Sequence, residues 1–190
     1  MSRMICGSRF RETSWHEGCP KEESRRMTTF LYATRGGASA YLNQDWAVAL
    51  AKDRGADLLL LYVSNVHFLD QIAGPINLDL VEAELEDLGE FLLAMAQERA
   101  EKSGLEAKTA VRSGEFVTAL EEIIKEEDIS VVVLGCPTND TGITSEAYIN
   151  GVAETLQARL NVEVYVIGEG RVVNHLFPTT GAGETNEASS

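Results

Sequence analysis

Basic residues are scarce in this chain: 16 Lys and Arg stand against 30 Asp and Glu over 190 residues, a formal net charge of −14. The shortage is uneven. Met1–Arg26 holds six basic and four acidic residues, whereas Met27–Gly170 holds nine against 24. An acidic body repels phosphate backbones, which argues against general nucleic-acid binding. Long apolar runs are missing too, since none approaches the roughly 18–20 residues needed to span a bilayer, and no membrane role is expected. Cysteines number three, Cys6 and Cys19 near the start and Cys136 in the body. Cys6, His16 and Cys19 lack a fourth ligand at zinc spacing, so free thiols in a reducing cytoplasm are the expectation. Met1–Arg26 has no continuous apolar stretch of the kind a secretory signal needs. It is expected to be a disordered leader, or to precede a true start at Met27. Residues 171–190 are expected to form a disordered tail, with Gly181–Ser190 small and polar throughout. No Ser-His-Asp set or nucleophile elbow occurs, and His67 and His175 stand alone.

What remains is one domain's worth of sequence with 44% hydrophobic and 24% charged residues, a soluble composition. Its pattern alternates between two periods. Thr28–Thr34 reads as a strand ended by Arg35-Gly36-Gly37. Ser39 is placed to cap a helix over about Ala40–Arg54, with Leu42, Trp46, Ala49 and Leu50 on one face and Gly55 after its end. Asp57–Ser64 is continuously apolar, as in a strand covered on both sides. The loop Asn65–Asp79 leads to a helix over about Leu80–Ser103, striped by Val81, Leu85, Leu88, Leu92 and Met95. Glu106–Arg112 is a weaker strand suited to an edge. A helix over about Phe116–Glu127 follows, with Phe116, Leu120, Ile123 and Ile124 apolar.

Ile129–Leu134 then gives the most strand-like segment. The loop Gly135–Thr144 precedes a helix over about Ser145–Leu160 with Tyr148, Val152 and Leu156 on one side, and Val162–Ile167 closes the series. Five strands separated by helices predict an α/β fold, a five-stranded parallel sheet with helices on both faces and right-handed crossovers. Ligands in such sheets bind beyond the carboxyl ends of the strands where the winding reverses, which singles out Thr34–Ser39 and Gly135–Thr144.

Val111-Arg-Ser-Gly114-Glu-Phe116, Ile123-Ile124 and Asp128-Ile-Ser-Val-Val-Val-Leu-Gly135 together resemble the universal stress protein family. Gly151-Val-Ala-Glu154 through Val162–Ile167 is similar to that family's last helix and strand, and the likeness covers about Thr28–Ile167. It implies strand order 3-2-1-4-5 in an adenine nucleotide alpha hydrolase-like arrangement, and a domain over 27–170. It also implies a cytoplasmic homodimer paired through the last strand at Val162, Val164 and Val166, a regular edge that would be sticky if left bare.

Nucleotide-binding members of the family carry a loop of the form G-x-x-G-x9-G-S/T, whose backbone approaches phosphate. Here Gly135 matches, but Thr138 replaces the second glycine and Asn150-Gly151 stands where the terminal pair aligns. Eleven residues rather than nine separate Thr138 from Asn150, and the stretch carries Asp140 and Glu146 but no Lys or Arg before Arg159. Arg35 stands where those relatives have an Asp that contacts the nucleoside.

Two outcomes for Arg35 follow. Its guanidinium fork binds an anion beside Gly36-Gly37, or it pairs with an acid such as Asp140 and closes the pocket. Thr34, Arg35, Gly36, Val63, Gly114, Gly135, Thr138, Gly142, Asn150 and Gly151 are the candidate ligand residues. Cys136, followed by Pro137, is expected to be a small buried turn residue. The function expected is a nonenzymatic, dimeric stress-response module acting through an unidentified protein partner, with no required cofactor and no tight ATP binding. The alternatives are a sensor of a nucleotide or other anion through Arg35, and a slow ATPase.

Overall fold

A computed structural model describes residues 28–36, 38–65, 78–136 and 145–179 of the chain. The elements run β1 (Thr29–Ala33), α1 (Ala38–Arg54), β2 (Asp57–Ser64), α2 (Leu78–Lys102), β3 (Ala107–Ser113), α3 (Phe116–Glu126), β4 (Ile129–Gly135), α4 (Glu146–Leu160), β5 (Glu163–Gly168) and β6 (Arg171–Leu176). The sheet order is β3-β2-β1-β4-β5-β6. The first five strands pair in parallel, as the alternation of strands and helices predicts, and in the order that the family resemblance implies. β3 takes the edge, and the winding reverses at β1 and β4.

Alternate residues of each strand serve opposite layers, because successive side chains point to opposite faces. Phe30, Tyr32, Leu58, Leu60, Val131 and Val133 pack with Ala47, Val48, Ala51, Leu93, Ala96 and Ala100 of α1 and α2. Leu31, Leu59, Leu61, Val132 and Leu134 pack with Leu120, Ile123, Ile149, Val152 and Leu156 of α3 and α4. Each such residue removed from water contributes roughly 1.5–3 kcal/mol when large and aliphatic.

Helix faces depart from expectation by about one residue. On α2 the buried line is Leu93, Ala96 and Ala100, while Leu88 and Met95 are exposed. The cause is close approach: a Cβ on Gly89 would lie 2.4 Å from Tyr62 Cδ1, so small residues face the sheet and the bulky stripe flanks the contact. On α1 the core side is Asn43, Gln44, Ala47, Val48 and Ala51, and Leu42 is exposed. Gln44 Nε2 donates to Ala96 O at 2.5 Å, tying α1 to α2.

The sixth strand is a correction. Residues 171–176, expected in a disordered tail, pair antiparallel with β5. Glu169 and Gly170, at φ +51° and +72°, form the two-residue connection whose left-handed backbone suits the twist of a hairpin. A side chain at Gly170 would press on Leu42 O at 3.3 Å. β5 is therefore an inner strand. Val162, Val164 and Val166, expected at a dimer interface, are buried and pack against the α3–α4 layer, and the backbone edge of β5 is occupied by β6.

Candidate functional site

At the carboxyl ends of β1 and β4 the two halves of the sheet wind apart and leave a cavity of about 150 Å³. Its wall comes from Tyr32–Gly36 at the end of β1 and just beyond, Val63 of β2, Phe116 at the start of α3, Leu134–Cys136 at the end of β4, Ile149 of α4, and Ala40 and Asn43 of α1. Five expected residues, Thr34, Arg35, Gly36, Val63 and Gly135, meet here.

The β1 loop is held by its own side chain. Thr34 Oγ1 accepts from the Gly36 N–H at 3.1 Å, and Thr34 N–H donates to Leu61 O at 2.9 Å. Gly36 adopts φ +74°, and a Cβ there would strike Leu92 Cδ2 at 2.7 Å. Tyr32 donates its hydroxyl to Ala40 O at 3.0 Å, and burial pushes that hydroxyl up to about 12.

Asn43 was not expected from the sequence. Its residue is 3% exposed, and its Oδ1 accepts from the Gly170 N–H at 2.8 Å. That bond fixes the amide, so Nδ2 lies on the side of Gly135, 3.4 Å from where a Cβ on that glycine would stand. Cys136 continues the same wall, and burial followed by the charge of Glu146 pushes its thiol up. It is the small, buried turn residue expected, yet it also lines the cavity.

The mouth mixes charges. Glu115 caps α3, its carboxylate accepting from Thr118 N–H at 2.8 Å and from the Thr118 hydroxyl at 2.9 Å. Burial opposes its ionisation, but those bonds hold its carboxyl below the usual range. Ser145 caps α4 by accepting from Tyr148 N–H at 3.1 Å. The Tyr148 hydroxyl is raised by burial and by Glu115, and lowered by Arg35, so these three groups share one electrostatic neighbourhood.

Other expected positions lie elsewhere. Gly114 donates its N–H to Ser64 O at 2.8 Å, joining the ends of β2 and β3 away from the cavity wall. Asn150 and Gly151 form no turn: both are inside α4. Asn150 Nδ2 donates to Glu146 O, and its Oδ1 accepts from Asn174 Nδ2 at 2.9 Å, which pins β6 instead of a ligand. Helix-forming residues on both sides absorb the pair that a loop alignment had set at a helix start. Thr138 and Gly142, like Asp140, lie outside the described residues.

A doubly wound sheet with its crevice at the β1/β4 reversal defines a nucleotide-binding-like α/β class. Within that class, residues 27–168 match the model of the universal stress protein family, and the chain belongs to it. Solved structures agree in fold. A universal stress protein family member from Burkholderia pseudomallei is 22% identical over 74% of this chain and 96% of its own, with a TM-score of 0.57. The universal stress protein UspA from Lactobacillus plantarum is 22% identical, covers 75% and 98%, and gives 0.56. A family protein from Arabidopsis thaliana with AMP bound is 13% identical, covers 74% and 90%, and gives 0.51. No curated protein sequence matches the chain. Among the described residues no helix is long and apolar enough to cross a membrane.

Proposed function

We propose that this universal stress protein is a nonenzymatic, cytoplasmic regulatory module that holds a small ligand in its β1/β4 crevice and lacks tight ATP binding. The observation that carries this reading is the cavity itself. Its roughly 150 Å³ fall below the roughly 300–1,000 Å³ of ordinary ligand clefts. Relatives of this fold hold AMP or cAMP, which supports a ligand role for the same crevice here. A triphosphate, however, would sit by Glu115 and Glu146, where like charge raises its energy. No required cofactor follows from this reading.

Homodimer formation stays within the proposal, with its surface moved outward: the free edge beyond β5 is now that of β6. Thermal shift and phosphate release with millimolar ATP test the module. The expected result is no phosphate release and no stabilisation beyond that of matched salt. Micromolar ATP binding, or hydrolysis lost in Arg35→Ala, would sink it. Sedimentation of the same sample, showing only monomer at micromolar concentration, would remove the dimer from the reading.

A further inference from the structure

The outward side of α2 forms a second surface, whose role is independent of whether the crevice holds a ligand. We infer that it docks a basic amphipathic helix of a partner protein. The apolar face of that helix lies along Leu88, Phe91 and Met95, and its Lys or Arg residues meet the acids of α2. The placement follows from the packing of α2 on the sheet. Close approach at Gly89 seats Leu93, Ala96 and Ala100 in the core, which turns the bulkier residues of the same helix outward. Leu88 is 45% exposed, Phe91 62% and Met95 41%, and Leu80 on the same side is 57% exposed. These four fall at i, i+8, i+11 and i+15, one line along the helix about 22 Å long.

The line is not a bare ridge. Beside Met95 the surface dips into a hollow between α2 and α1, walled by Leu92, Tyr41 and Gln44. Apolar residues scattered singly over a surface need no explanation. A continuous line of them at helical spacing, running along a groove, is the pattern by which one helix receives another.

Charge identifies the occupant. Residues 78–97 contain six acids, Asp79, Glu82, Glu84, Glu86, Asp87 and Glu90, and no Lys or Arg. Glu84, Asp87 and Glu90 are exposed, and among the described residues none of the three pairs with a cation. The nearest cations farther along the helix are already engaged. Arg99 donates to Asp45 at 2.7 and 2.6 Å and lies over the Tyr41 ring, and Lys102 pairs with Glu98 at 2.6 Å. A second copy of this chain fits poorly, because two α2 helices face to face would set these acids against one another. An anionic bilayer is repelled for the same reason. A helix whose apolar side is flanked by Lys or Arg satisfies both the apolar line and the acids, as flanking charges do in paired helices.

The test is fluorescence anisotropy of the full chain with a labelled synthetic helix of about three heptads, leucine on one face and lysine on the others. Two control peptides accompany it, one with glutamate in place of lysine and one with the lysine sequence broken by prolines. The lysine helix is expected to bind, and each control at least about tenfold more weakly. Phe91→Ser combined with Met95→Ser is expected to weaken the lysine helix at least about tenfold. Glu84→Lys combined with Asp87→Lys is expected to weaken it at least about fivefold and to flatten its salt dependence. All four positions are exposed, and circular dichroism checks that each variant keeps its fold. Unchanged affinity in the folded serine variant overturns the inference, since the peptide then follows the acidic body at large. Equal binding of either control overturns it as well, as does no binding of the lysine helix at up to about 1 mM. Sedimentation of the full chain supplies the last check: a dimer that dissolves in the serine variant gives this face to a second copy and overturns the partner helix.

Discussion

The two edges of the sheet solve the same problem in opposite ways. β3 ends the sheet with a polar strand: Lys108 and Thr109 are exposed, and Gln97 Nε2 of α2 donates to Ala107 O at 2.8 Å. Charge on an edge strand discourages pairing with another chain. β6 ends the other side with Val172 and Val173 about half exposed, followed by Phe177 at 66%. Leu176 packs against the core, and a polar cluster adds to that hold. Arg54 donates to both Glu163 oxygens, at 2.7 and 3.1 Å, and to the Tyr165 hydroxyl at 2.6 Å. His175 of β6 bonds Glu163 at 2.9 Å and stacks on Tyr165 with ring centroids 3.9 Å apart. One edge repels partners by its own side chains; the other depends on a hairpin, the Glu163 carboxylate and the Asn150–Asn174 bond to stay where it is.

Breaking the hairpin is the severest test of that difference. Gly170→Val places a β-branched residue at φ +72° against Leu42 O, and left-handed strain of this kind costs about 1–3 kcal/mol. Urea unfolding is expected to show about 2 kcal/mol of lost stability, with Gly170→Asn milder. An unaffected valine variant would mean that β6 contributes nothing to the domain.

Next comes the carboxylate. The Arg54 fork holds Glu163 down from 4.5 to about 2 against the opposing effect of burial, with Tyr165 and His175 adding to it. Between those two values the unfolded chain binds more protons than the folded one, so stability rises with pH there. The contribution of Glu163 is complete above about pH 4.5 and is lost as pH falls through about 2. Glu163→Gln is expected to cost about 1 kcal/mol at neutral pH, since Arg54 is partly solvated. Thermal melts from pH 2 to 6 should show a shallower acid slope in the variant; an identical slope would show that other carboxylates set it. The smallest effect belongs to the opposite edge, where Lys108→Ala is expected to change stability by no more than about 0.5 kcal/mol. Light scattering then asks whether that one charge suffices to keep β3 unpaired.

These elements also show what could be read from the chain beforehand. Apolar runs such as Leu58–Leu61 and Val131–Leu134 announce buried strands, and their alternation with helices announces parallel pairing, while the order β3-β2-β1-β4-β5 came from the family resemblance. Helix faces were harder to read, because Gly89, Ala96 and Ala100 are too small to look like a core until the sheet is set against them. β6 was missed for a tertiary reason: Arg171, Asn174 and His175 interrupt its apolar pattern, and their partners Glu163 and Asn150 are distant in space until the chain folds. Its one local signal was Glu169-Gly170 between two valine-rich segments.

The crevice was half legible. Thr34, Arg35, Gly36, Val63 and Gly135 lie at strand ends where glycines and a charge stand out. Asn43 carries no motif, and would have been noticed only as a polar residue on the sheet side of α1, a side that the sequence had placed one residue away.

The antiparallel course of β6 has a practical consequence for geometry. A chain of five parallel strands would finish at the same end of the sheet as its crevice. Here β6 carries the backbone back across the sheet, so that Thr179 bonds Asn161 at the far end of α4 and the last described residues lie at the pole opposite the crevice. Entry to β1 and exit from β6 thus share one pole of the molecule. The chain therefore enters β1 and leaves β6 on the side of the sheet away from the crevice, so that neither passage crosses the opening.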